Sequence, residues 1–177
     1  MGHKPLFESI VLTVISDDRP GIIARLSHLV EQHGGNWTNS SMLSLAGKFA
    51  GILLAHVPTD QTDCLIQQLL QLDGEGVHIT AHRSADLAVD GEAREFVLEL
   101  VGQDRPGIVR DITAILSRHG VNVLELESSC ESASMSGEML FRAKASLQVP
   151  EGVSRGLLQE ELEQLANELM VDISLQD

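Results

Sequence analysis

Asp18-Arg19-Pro20-Gly21-Ile22 returns 86 residues later as Asp104-Arg105-Pro106-Gly107-Ile108, and at the same offset His33-Gly34 and Asn36 return as His119-Gly120 and Asn122. Eight of the nineteen positions from Asp18 to Asn36 are identical to their counterparts. A chain of 177 residues that repeats itself in this way is built from two like units, so each half must complete the same fold.

The periodicity around the motif identifies that fold. Ahead of it Ile10, Leu12 and Val14 alternate with Val11, Thr13 and Ile15, and Phe96, Leu98 and Leu100 alternate with Val97, Glu99 and Val101, the period of a strand. Behind it Ile22, Ile23, Leu26, Leu29 and Val30, and likewise Ile108, Val109, Ile112, Ile115 and Leu116, fall at helical spacing. Pro20 and Pro106 suit a first helical turn, and Gly34 and Gly120 suit the left-handed residue that ends a helix. Residues 36–45 and 122–131 read as second strands, and 48–57 and 139–149 as third strands ending at Pro58 and Pro150, with the second hairpin, 128–137, longer and rich in Ser. Helices over 63–72 and 154–169 and short strands over 77–83 and 171–175 complete each half.

The order βαββαβ, twice, predicts an α+β protein of two tandem ferredoxin-like domains, each an antiparallel sheet with both helices on one face, because βαβ crossovers are right-handed. The run 84–92 is the natural joint, giving domains 1–87 and 88–177. With 43% hydrophobic residues, each half can fill a core.

Charge narrows the partners. A formal net charge of -14 opposes the phosphate backbone of nucleic acids, and with four Phe, Trp37 and no Tyr the chain lacks the aromatics that read bases. No direct nucleic-acid contact and no membrane span are expected, and Cys64 and Cys130, the only two thiols, point to a cytoplasmic protein without a disulfide framework. Cys64 is expected in the helix core, and Glu127 and Glu131 are expected to raise the pKa of Cys130. His78 and His82 lie four residues apart on a strand, roughly 13 Å, too far to share an ion. No metal, cofactor or catalytic set is expected.

The repeated loop is the candidate site. It brings Gly21 or Gly107 to a helix N-terminus, where free N–H groups and the positive end of the helix dipole suit a carboxylate. Asp18 and Asp104, with the side-chain carbonyls of Asn36 and Asn122, offer acceptors for an ammonium group, so the set suits a zwitterion. The same residues also serve plain structural ends, the aspartate as a helix cap and Arg-Pro-Gly as a turn. Trp37 is expected to anchor the first core.

Asp-Arg-Pro-Gly-Ile ahead of an amphipathic helix, Gly-x-Asn after it and the βαββαβ order resemble the ACT domain, and two such domains in a short acidic chain resemble the glycine cleavage system transcriptional repressor family. The resemblance spans residues 7–176. It implies a small amino acid ligand, glycine first, held at an interface between modules by Asp18, Arg19, Pro20, Gly21, Ile22 and Asn36, or by Asp104, Arg105, Pro106, Gly107, Ile108 and Asn122. It also implies indirect control of transcription through a protein partner such as an activator. Val121 in place of Gly35 implies a different pocket wall in the second copy. A ligand-free interaction module is the alternative, and an acylphosphatase-like hydrolase a remote one, since Asp17 and Asp18 would repel an acyl phosphate. Self-association through exposed sheet edges is expected. The second half, with 17 acids against seven bases, is more acidic than the first, with nine against five, and offers a surface for a basic partner.

Overall fold

The computed structural model describes residues 6–84, 93–132 and 137–176. It divides into two compact units, residues 1–89 and 90–177. The expected joint beyond Ser84 and the expected hairpin residues 133–136 lie outside the described residues.

In the first unit, β1 (Phe7–Asp17), α1 (Ile22–Gln32), β2 (Asn36–Leu45), β3 (Lys48–Pro58), α2 (Thr62–Gln71) and β4 (Val77–Ser84) follow in order, with a 3-10 turn, Leu72–Glu75, ahead of β4. The second unit repeats this as β5 (Ala93–Gln103), α3 (Ile108–Arg118), β6 (Asn122–Ser132), β7 (Met139–Pro150), α4 (Arg155–Leu169) and β8 (Val171–Gln176). Both sheets are antiparallel, in the orders β2-β3-β1-β4 and β6-β7-β5-β8, the ferredoxin-like arrangement read from the sequence. Even the irregularities are shared, for β2 bulges between Trp37 and Asn39 and β6 between Val123 and Glu125, its counterparts.

Alternation in the strands and helical spacing in between meet in one core per unit. Ile10, Leu12 and Val14 of β1 lie against Leu26 and Val30 of α1 and Leu65 and Leu69 of α2, and Phe96, Leu98 and Leu100 lie against Ile112, Leu116, Leu158 and Leu162. Trp37 packs half-buried against the first core, as expected.

Helices α1 and α3 close alike. Gly34 and Gly120 take φ of 67° and 66°, where a Cβ is disfavoured. The next residues, Gly35 and Val121, donate back to the carbonyls of Val30 and Leu116, the reciprocal pattern that satisfies the last carbonyls of a helix.

The structure corrects several expectations. Pro20 and Pro106 precede the cap residues Gly21 and Gly107 and are not the first helical residues. Ile23, Val109, Leu70 and Leu157 are exposed, because each sits at the margin of its helix stripe, beyond the reach of the sheet. Cys64 is exposed as well, since it precedes buried Leu65 by one residue, about 100° around the helix. Val121 is buried in the second core. Gly35 has no room for a side chain, as a Cβ there would come within 3.0 Å of the Val30 carbonyl and 3.2 Å of Val57.

Candidate functional site

The loop after β1 is held on three sides. The Asp18 backbone N–H donates to the Gly47 carbonyl at 3.0 Å, which ties the loop to the β2–β3 turn. The Ser44 hydroxyl donates to Asp18 Oδ2 at 2.6 Å. Arg19 reaches across to the Glu75 carbonyl at 2.8 Å, fastening the loop to the turn ahead of β4. The second unit follows the same plan with other atoms: the Asp104 N–H donates to the Met139 carbonyl at 2.8 Å, and Arg105 donates to the Glu168 carbonyl at 3.3 Å.

Gly21 and Gly107 then turn the chain into the helix at φ of 94° and 98°. Neither helix start receives a side-chain cap, so Asp18 and Asp104 are not caps, and the first helical N–H groups have no partner from a capping side chain. Space lies beside the first of these corners. A cavity of about 230 Å³ is lined by Arg19, Pro20, Gly21, Ile22, Arg25, Leu26, Leu72, Glu75 and Val77.

Two of its three charged residues, Arg25 and Glu75, were not among those singled out from the sequence. Both terminal guanidinium nitrogens of Arg25 donate to the Glu75 carboxylate, Nη2 to Oε1 at 2.6 Å. Those hydrogen bonds are the main cause holding the Glu75 carboxyl below the usual range, with the charges of Arg25 and Arg19 adding to them. Arg25 lies on the face of α1 that periodicity assigns to solvent, and Glu75 lies in a turn without periodicity. The usable signal was spacing: an arginine four residues beyond the cap glycine is one helical turn above the loop.

The predicted residues do not converge within one unit. Asp18, Arg19, Pro20, Gly21 and Ile22 gather at one end of the first sheet, near Asp17 and Lys48, which pair across β1 and β3. Asn36 pairs with His56, opposite Ser9, at the far end. Eight strand positions separate His56 from Lys48 on β3, roughly 26 Å. Asp104 to Ile108 and Asn122 are divided in the same way, with Asn122 opposite Gln148 and the Gln103 end of β5 opposite Leu140. An aspartate and an asparagine of the same unit therefore cannot hold one small zwitterion.

The pKa of Cys130 is raised as expected, but by other groups: desolvation first, then the charge of Asp104 and a hydrogen bond to it, in place of Glu127 and Glu131. Among the described residues no group of three or more His, Cys, Asp or Glu side chains is placed to hold a metal ion. No helix there is long and apolar enough to cross a membrane.

Fold and loops together define a tandem βαββαβ protein with one glycine-capped corner in each unit. The chain belongs to the ACT-domain family, which matches residues 8–81 and 94–176. A protein of unknown function from Galdieria sulphuraria is similar over 97% of this chain and 98% of its own, at 31% identity and a TM-score of 0.85. A crystal structure titled "putative glycine cleavage system transcriptional repressor" covers 97% of each chain at 23% identity and a TM-score of 0.68, a likeness of fold. The UPF0237 protein of Methanopyrus kandleri is 32% identical over 80 residues, 45% of this chain and 83% of that protein.

Proposed function

We propose that this chain is an amino-acid-sensing regulatory protein and not an enzyme, with glycine as the first ligand to test, and that it controls transcription through a protein partner without touching nucleic acid. The observation that carries the reading is the corner at Gly21, where uncapped helix N–H groups, a cavity of about 230 Å³ and the Arg25–Glu75 pair stand together. The N–H groups suit a carboxylate, and Asp18 and Glu75 suit an ammonium group. The same loop recurs at Asp104 to Ile108. Glycine as ligand and an activator as partner come from the family resemblance.

Regulation then works by linkage. A zwitterion that competes for Glu75 and Arg25 changes how the loop, α1 and the turn ahead of β4 are tied together. It shifts what a partner sees only by its differential affinity for the two arrangements. Titration calorimetry of the full chain with a panel of amino acids tests the reading. Saturable heat with glycine or another small amino acid, lost in Glu75→Gln, is the expected result; absence of heat with every member identifies a ligand-free interaction module and overturns the proposal.

A further inference from the structure

The two sheets differ on the face that the helices leave uncovered. In the second unit this face is ionic: Lys144 lies opposite Glu99 on one side and Glu127 on the other, and Arg142 lies in the next row opposite Val101. Such a surface is at ease in water, so the fold itself makes no demand for an apolar outer face. In the first unit the same face is built around Val11, Thr13 and Ile15 of β1 and Ala50, Ile52 and Leu54 of β3. Across the four strands, from the row of Ile15 to the row of Ser9, it carries no Asp, Glu, Lys or Arg; its titratable side chains are His56 on β3 and His78 and His82 on β4, with His78 paired to Asp73 at the margin. Ile15, Ile52 and Leu43 are about half exposed, at 50%, 49% and 55%.

From this contrast we infer that the outer face of the first sheet is a docking surface for the same face of a second copy of this chain, in a two-fold symmetric dimer packed sheet on sheet. Charge selects the occupant. Two chains of net charge -14 repel one another over most of their surface, and this face lets them meet without setting acid against acid. A basic partner would be drawn to the acidic surfaces instead, and a face bearing ions like those of the second sheet would lose their hydration against Ile52 and Val11. The size is sufficient. Four strands about 4.8 Å apart and four rows about 6.6 Å apart cover roughly 500 Å² per copy, or about 1,000 Å² for the pair, the lower end for a specific and reversible dimer.

The contact lies on the sheet face and not on the edges at β2 and β6. Its signature is dependence on salt: added NaCl screens the repulsion between acidic copies and leaves a contact without carboxylates or lysine and arginine intact, so association at neutral pH tightens.

Sedimentation equilibrium of the full chain over a range of concentrations and at two salt levels tests the inference. The expected result is a monomer–dimer equilibrium that tightens with salt and weakens at least tenfold in Ile52→Glu and in Thr13→Lys, while Leu157→Glu, an exposed apolar position on α4, leaves it unchanged. Circular dichroism establishes that each variant is folded, and Thr13→Lys decides the matter if Ile52→Glu is not. A monomer under all conditions, a dimer indifferent to both face variants, or one that weakens with salt overturns the inference.

Discussion

Ser44 donates a hydrogen bond to Asp18 Oδ2, and 86 residues further on Cys130 occupies the position of Ser44 beside Asp104, whose negative charge helps to raise the thiol pKa. One juxtaposition therefore recurs, of the motif aspartate with a hydroxyl in one unit and with a thiol in the other. In both, the aspartate of the repeated motif faces the end of the second strand of its unit and is not the cap of its helix.

The exchange gives the second unit a chemical reporter of its loop. Desolvation, the negative charge of Asp104 and the hydrogen bond it accepts all favour the protonated thiol of Cys130. In Asp104→Asn the charge is gone, so the Cys130 pKa falls and alkylation by iodoacetamide at fixed pH becomes faster. The pH dependence of alkylation, measured in a Cys64→Ser background so that one thiol reacts, checks this. An unchanged profile would show that Asp104 does not govern the thiol.

In the first unit the tether of interest is Arg25–Glu75. Hydrogen bonds from Arg25 depress the Glu75 pKa, so the pair contributes stability when Glu75 is ionised, above its ordinary range, and loses it as the pH falls through the depressed value. Asp17 beside Lys48 and Asp111 beside Arg110 have the same sign. Stability should fall on acidification below the ordinary carboxylate range, and Glu75→Gln should flatten part of that fall. Urea titrations of the wild-type and Glu75→Gln chains at a series of pH values measure the two slopes.

Sequence and structure agree where a physical period decides the answer. Ile10, Leu12 and Val14 revealed their face by alternation, Leu26 and Val30 by helical spacing, and Gly34 by the left-handed turn it permits. The site was less legible. Asp18 and Asn36 are close in sequence, yet α1 between them carries the chain back along the sheet, so a strand–helix–strand order by itself places them at opposite ends. Glu75 carried no signal, because a residue in a turn reveals its partner only once the turn has been placed. Cys64 misled because chemical type was read in place of angle around the helix.

Gly35 and Val121 mark where the two cores have drifted apart. A Cβ at Gly35 would press on the Val30 carbonyl and the Val57 side chain, whereas Val121 is itself core. Gly35→Val should destabilise the first unit by about 1–3 kcal/mol through overpacking. Val121→Gly should cost about 2–5 kcal/mol, by emptying buried volume and freeing the unfolded backbone. Both effects belong to packing at the end remote from the loops, so calorimetric binding of any ligand at the Gly21 corner should keep its affinity in folded Gly35→Val protein.

The last prediction concerns the repeated glycines themselves. At φ of 94° a Cβ on Gly21 meets nothing within 4 Å, so Gly21→Ala isolates the cost of backbone strain, about 1–2 kcal/mol. At Gly107, with φ of 98°, the Cβ comes within 3.1 Å of the end of the Arg110 side chain, which can move aside, and makes an ordinary contact of 3.6 Å with Asp111 Oδ2. The two alanine variants should therefore lose nearly the same stability in urea denaturation. A clearly greater loss for Gly107→Ala would mean that the Arg110–Asp111 pair resists displacement and that the second loop is the stiffer of the two.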